Sequence, residues 1–389
     1  MSNRRTAPPP ITVPNHEGGK PRMKLVIFGL TVRFSWGNGH AALWRSLCRA
    51  LGRRGHDVVF FERDAHGDAT QQDPRDLPGC RMVLYSDWAE ALPEARRQTA
   101  ETDVAIVASN CPEGMAATDV VLSSSARLRV FYELGTPNTL TRLQAGDGVN
   151  YIGPRGLADF DLVLSFTGGP ALEALKTELR ARRVAPLYGS VDPEVHRPVP
   201  PLEGYRADFS YLGSYAEDRR QTLERLFMEP ARRMPQQKFM FGGARCPTEL
   251  PGTGNVFFAR HIAPSEYPAF YCSSRLTLNV ARRAAAEMGF CPSGRLFEAA
   301  ACGTPLVSEG WEGLEEFFEP GREILIAQRP EDVIGLLELP QEFLATIAHA
   351  ARERTLAAHT ADQRAADLEA VLEEALRPEL HTVGPGGGC

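Results

Sequence analysis

The sequence predicts an α/β protein made of two doubly wound domains of parallel sheet. Three observations predict it. Strand-like apolar runs alternate with helical patterns along almost the whole chain. Those runs are continuous in Val, Ile, Leu and Phe, as strands covered on both faces require. The alternation is interrupted once, by a proline-rich stretch near the middle, and 389 residues exceed what one ordinary core organises.

The first series of strands reads KLVIFGL (24–30), DVVFFER (57–63), RMVLYS (81–86), DVAIVAS (103–109), RVFYEL (129–134), LVLSF (162–166) and VAPLYG (184–189). Helical patterns lie between them, clearest at 39–54 and 170–182. The interruption, SVDPEVHRPVPPLEGYRA (190–207), lacks periodicity and reads as an interdomain linker. A second series follows in DFSYLGSY, KFMFGG, NVFFAR, LTLNVA, PLVSEG and EILIA, and helices at 330–338, 342–355 and 361–376 finish the pattern. The expected division is a disordered segment 1–22, a first domain 23–190, a linker 191–207, a second domain 208–355, a C-terminal helix 356–377 and a flexible tail 378–389. In doubly wound sheets the binding crevice lies beyond the carboxyl ends of the strands, so the chemistry is expected between the two domains.

Hydrophobic residues make up 43% and charged residues 24%, the balance of a globular protein. A net charge of -6 argues against general nucleic-acid binding, which needs a basic surface. The basic run Arg45–Arg54 reads as a solvated helix face, with contact to an anionic substrate or membrane surface as the alternative. Eight cysteines without C-x-x-C spacing predict neither a metal site nor a disulfide framework, hence a reducing compartment. No run reaches the ~18–20 apolar residues of a membrane span. The expected location is cytoplasmic, with peripheral attachment at the inner membrane face left open.

The segment SGRLFEAAACGTPLVSEGWEGLEEFFEPGREILIA (293–327) carries the densest chemistry. Ser293 and Gly294 open a helix that Gly303 ends, and small residues Ala299–Ala301 let it lie against a sheet. Arg295 and Glu298, three apart, share a face near its N-terminus. Unpaired N–H groups there suit a phosphate, and a carboxylate one turn further in suits the two hydroxyls of a ribose. The competing reading is an Arg295–Glu298 pair that merely steadies the helix end. In the first domain, Gly37, Asn38 and Gly39 with Ala42, followed by Glu62, fit a loose dinucleotide pattern. Thr31–Trp36, however, separate Gly37 from the strand end, so a phosphate-side or acceptor-side loop is the better reading. His40, at the following helix start, is a candidate base or sugar contact.

The block apolar–Glu–Ala–x–Ala–x–Gly–x–Pro around Glu298 resembles the nucleotide-sugar half of GT-B glycosyltransferases. More narrowly, the chain is similar to the CgeB-type bacterial glycosyltransferases, through SWGNGHAALWRSLCRALGRRGHDVVFFERD, FYELGTPNTL, DLVLSFTGGPALEAL, PLYGSVDPEVHRP, FSYLGSYAEDRR and LNVARRAAAEMGFCPSGRLFEAAACGTPLV, from about residue 24 to about 335. The resemblance implies that Glu298 holds the donor ribose. It also implies that Gly213, Ser214 and Arg219 approach the leaving diphosphate, helped by Arg295, Ser293, Arg282 and Asn279, with His261 and Ile262 at the base. Glu133, ending its strand in YELGTP, is a candidate acceptor-activating base beside His40. Two departures stand out. The second Glu of many retaining relatives, eight positions before Glu298, is Phe290 here, and Gly135 replaces an acid that relatives carry.

The expected activity is a metal-independent, cofactor-free glycosyltransferase moving a sugar from a nucleotide-diphosphate sugar to an unidentified acceptor. Alternatives are a non-catalytic nucleotide-sugar-binding protein, an epimerase on the same fold, and a nicotinamide-dependent dehydrogenase.

Overall fold

The structure is a computed structural model, and it describes residues 22–34, 39–64, 77–243, 254–260 and 262–377. The expected N-terminal segment, the tail, Gly37, Asn38 and His261 lie outside the described residues. In the first domain the order is β1 (Lys24–Phe28), α1 (Gly39–Arg53), β2 (Asp57–Arg63), β3 (Cys80–Tyr85), α2 (Trp88–Ala100), β4 (Val104–Ala108), α3 (Gly114–Leu122), β5 (Leu128–Glu133), α4 (Thr136–Gln144), β6 (Leu162–Ser165), α5 (Pro170–Thr177) and β7 (Val184–Pro186). Every pairing in its sheet is parallel, in the order β3-β2-β1-β4-β5-β6-β7.

The second domain contains β8 (Ala207–Leu212), α6 (Glu217–Leu223), a π-helical turn (Glu224–Met228), α7 (Glu229–Arg233), β9 (Phe239–Gly242), β10 (Val256–Ala259), α8 (Tyr267–Cys272), β11 (Ser274–Asn279), α9 (Arg283–Met288), α10 (Gly294–Ala301), β12 (Leu306–Ser308), β13 (Leu325–Ile326), α11 (Pro330–Leu337) and α12 (Gln341–Ala358). Its six strands are also parallel, in the order β10-β9-β8-β11-β12-β13.

The apolar runs explain the layering. Successive side chains of a strand point to opposite faces. In β1, Leu25 and Ile27 enter the cluster beneath α1, while Val26 and Phe28 enter the cluster on the other face with α2 and α3 residues. Both faces are dry, so neither register of the strand can be polar. The second sheet is sandwiched the same way, with α10 (Leu296, Phe297, Ala299) on one face and Phe227 and Val333 on the other.

The last helix, α13 (Ala361–Leu376), is not an appendage. Its Ala361, Ala365, Leu368 and Leu372 complete the first-domain core against α1. Buried Glu369 accepts from Arg54 Nη2 at 2.7 Å and pairs with His56 Nε2 at 2.8 Å. His56 Nδ1 already accepts from Met23 N, so the ring presents Nε2–H to the carboxylate. The chain therefore crosses between domains twice. The two crossings lie side by side, Val191 N donating to His359 O at 3.0 Å and Ala361 N to Val191 O at 2.8 Å. The expected linker, 191–207, accounts for the first crossing, and the second, between α12 and α13, has no proline-rich signature in the sequence.

Candidate functional site

A cleft of about 840 Å³ runs between the domains, lined from both sides by the loops that follow strand ends. Asn110 follows β4, Gly135 β5, Phe166 β6, Gly213 β8 and Arg282 β11, as the crevice rule for open parallel sheets requires.

On the second-domain wall, Ser293 caps α10 in extended backbone (φ -67°, ψ 139°), its Oγ accepting from Arg295 N at 3.3 Å. A helical side chain leans back toward the N-terminus. Glu298 does so, with Oε1 3.8 Å from where a Cβ on Gly294 would stand. Glu298 and Arg295 both line the cleft, and no ion pair within 4 Å joins them, although the Glu298 charge still favours the Arg295 cation. Buried Arg219 donates from Nη1 to Ser214 Oγ at 3.0 Å, and its Nε, like that of Arg295, is buried without a partner. Burial, followed by the charges of Arg295 and Arg282, holds the Arg219 guanidinium below its ordinary pKa. Arg282 reaches Asp218 at 3.2 Å. The described lining carries four arginines (Arg142, Arg219, Arg282, Arg295) and one carboxylate, Glu298. Such a surplus of positive charge in a low-dielectric crevice selects an anionic ligand.

The backbone is set for close approach. Gly243 has φ +124°, and a Cβ there would stand 2.4 Å from Gly213 O. Only glycine lets the loops after β8 and β9 lie against each other beneath Ser214.

Glu309, which the sequence reading passed over, fixes the arginines' relative placement. It is buried at the end of β12, its Oε1 accepting from Ala281 N and its Oε2 from Thr222 Oγ1, both at 3.1 Å. It thus ties the loop bearing Arg282 to α6, the helix bearing Arg219. Glu309→Ala is expected to raise the Kd of a nucleoside diphosphate, the anionic ligand the resemblance implies, about tenfold by loosening that clamp. Glu309→Gln, whose amide can accept from Ala281 and donate to Thr222, should restore wild-type affinity. Equal loss in both variants would assign the effect to charge rather than positioning, and titration calorimetry reads the difference.

On the first-domain wall, His40 lines the cleft two residues into α1. Burial first, and then the charge of Arg282 across the crevice, lower its pKa, so the neutral imidazole prevails.

Several expectations are corrected. Glu133 does not face the cleft. It is fully buried beneath the first turn of α4, its Oε1 accepting from Gly135 N at 2.9 Å, and burial pushes its pKa up to about 7. Its place at a strand's carboxyl end suggested exposure, but α4 begins too soon after β5 to leave it open. Asn279 is also buried, donating to Ser308 Oγ at 3.3 Å away from the cleft lining. Glu62, on which a dinucleotide reading depends, is sealed and accepts from Thr31 Oγ1 at 2.8 Å and Val32 N at 2.7 Å, leaving no ribose to hold. Phe290, at the position of the missing second Glu, bridges the domains. Its carbonyl accepts from Gly168 N at 2.9 Å, and its ring fills the space where side chains on Gly169 and Gly313 would be. Gly39, Gly213, Ser214, Arg219, Ile262, Arg282, Ser293, Arg295 and Glu298 come together as cleft lining.

Among the described residues, no group of three His, Cys, Asp or Glu could hold a metal, no disulfide joins the six cysteines, and no helix is long and apolar enough to cross a membrane.

Paired parallel domains around such a crevice are the GT-B fold of glycosyltransferases. Residues 219–370 match the model of a glycosyl transferase-like family, and this span carries Arg219, Arg282, Arg295 and Glu298. The match covers less than half of the chain, whereas the shared fold extends over both domains. A sucrose-phosphate synthase from Thermosynechococcus elongatus superposes with TM-score 0.65 at 16% identity, over 91% of this chain and 99% of that one. The Anabaena protein HepE, in complex with UDP and glucose, superposes with TM-score 0.61 at 14% identity, over 91% and 100%. An α-glucosyltransferase in complex with UDP-glucose and DNA does so with TM-score 0.64 at 12% identity, over 91% and 100%. No curated protein matches the sequence.

Proposed function

We propose that the chain transfers a sugar from a nucleoside-diphosphate sugar, held on the second domain, to an acceptor held on the first, as the CgeB-type resemblance implies. The observation that carries this reading is a cleft-facing carboxylate, Glu298, whose side chain hydrogen-bonds to no described residue, set beside Arg219 and Arg295, which form no ion pair within 4 Å with a described carboxylate. Glu298 would accept from the ribose hydroxyls. Arg219, Arg295 and Arg282 would hold the diphosphate and stabilise the charge that builds on the departing oxygen, an electrostatic task that fixed donors perform well. Ser293, Gly213 and Ser214 would shape that pocket, and Ile262 would border the base. His40, neutral at physiological pH, would take the proton of the attacking hydroxyl. The acceptor side is then residues 23–190 together with α13, and the donor side residues 208–355.

Structural neighbours carry UDP or UDP-glucose, so these are the first ligands to test. UDP is expected to bind, and UDP release from UDP-glucose to follow a pH profile whose acid limb lies below about 6.5, the ordinary histidine value. The sign follows from a depressed pKa: the base form persists to lower pH than in a free histidine. His40→Gln should remove that limb and most of the rate. Failure of every nucleoside diphosphate to bind would refute the donor assignment.

A further inference from the structure

Three loops of the first-domain wall are fastened together by buried polar contacts that no feature of the donor site needs. Ser109 Oγ accepts from Leu134 N at 2.8 Å, joining the loop after β4 to the loop after β5. Glu133 Oε1 holds Gly135 N in the latter loop. Thr139 Oγ1 and the Tyr151 hydroxyl bond at 2.8 Å, tying α4 to the 150–151 loop. A Cβ on Gly114 would stand 2.6 Å from Tyr151 Cβ, so α3 also presses directly on that loop.

These fastened segments present Asn110, Asn138 in the first turn of α4, and Asn150 to the cleft, and none of the three carboxamides hydrogen-bonds to a described residue. Asn110 is held at φ 65°, a left-handed conformation that costs energy and concentrates at ligand-binding positions. Each carboxamide both donates and accepts, which matches the dual character of a sugar hydroxyl. Beside them Arg142, in the last turn of α4, forms no ion pair and spends one nitrogen, Nη2, on Gly148 O at 2.8 Å. Among the described residues, no carboxylate on this wall lines the cleft to receive a cationic acceptor.

We propose that the acceptor is a carbohydrate bearing an acidic substituent, its hydroxyls read by Asn110, Asn138 and Asn150 and its anion by Arg142. This rests on the glycosyltransferase reading and names the acceptor class that reading leaves open. The anion is a phosphate or a carboxylate, the chemistry that a guanidinium fork shares between them.

The test titrates protein saturated with UDP by calorimetry, using glucose 6-phosphate, glucuronate, glucose and glucosamine as probes. Both acidic sugars are expected to bind at least tenfold more tightly than glucose, and glucosamine least. The tighter of the two acids identifies the substituent. Arg142→Gln should erase the preference for acid over glucose, and Asn110→Ala with Asn150→Ala should weaken all four probes. Glucosamine binding as tightly as the acids, no binding by any probe, or variants indistinguishable from wild type would overturn the proposal. UDP affinity, measured first on each variant, separates these outcomes from a failure of the donor assignment, which would show as loss of UDP binding itself.

Discussion

Glu298→Ala is expected to weaken UDP binding about 100-fold, because a carboxylate accepting two ribose hydroxyls supplies roughly 1.5–3 kcal/mol per charge-assisted bond, partly offset on rehydration. The fold should not suffer, since the Glu298 side chain makes no hydrogen bond to a described residue, its carbonyl keeps the bond from Cys302 N, and alanine favours the helix. The thermal midpoint therefore stays level while affinity falls, a separation that misfolding would not produce. A double cycle sharpens the assignment. Removing a ribose hydroxyl from the ligand should cost wild type about tenfold and cost the variant almost nothing, since the partner is already gone. An unchanged UDP affinity in Glu298→Ala, or equal sensitivity of both proteins to the deoxy ligand, would take Glu298 out of the site.

The legibility of this molecule in its sequence follows from where information is local. Strand runs such as VAIVA and FMFG are apolar on both faces because both faces are covered, and each of the thirteen strands among the described residues overlaps an expected run, four of them (β3, β5, β8 and β11) beginning one or two residues earlier. The α10 cap was legible because Ser293, the small residues and Gly303 act within one turn of each other. What required the third dimension was burial of groups at strand ends. Glu133, Glu62 and Glu309 are all carboxylates at or near the end of a strand, and none opens on the cleft, because the next segment folds over each one. The return of α13 onto the first domain was equally hidden. Its apolar face fits any helix groove, and polar pairings with residues more than 300 positions away, Glu369 with Arg54 and His56 and Asp362 with Arg53, specify this one. Asn110 and Asn150 went unnoticed because isolated asparagines in loops are ordinary turn residues, and Asn138 because an asparagine in a first helical turn is equally ordinary.

Arg219→Met is expected to lower kcat/KM for the donor about 1,000-fold and to raise the thermal midpoint by about 2 °C, two effects of opposite sign from one charge. The loss comes from the transition state. A fixed donor aimed at developing charge typically contributes 10²–10³ in rate, and a buried guanidinium needs no reorganisation when the charge appears. The gain comes from the ground state. Burial and the neighbouring charges of Arg295 and Arg282 disfavour the Arg219 cation in the folded protein, as its lowered pKa shows, and unfolding relieves both. Methionine keeps the packing of the stem and removes the repulsion. Arg219→Lys separates the terms further, retaining the charge and therefore the wild-type midpoint while losing the planar fork and about tenfold in rate. UDP should raise the midpoint more in wild type than in Arg219→Met, because in wild type the ligand's phosphates neutralise the cluster. A destabilised Arg219→Met with unchanged kinetics would mean that the arginine braces the loop at Ser214 and that diphosphate charge is met elsewhere.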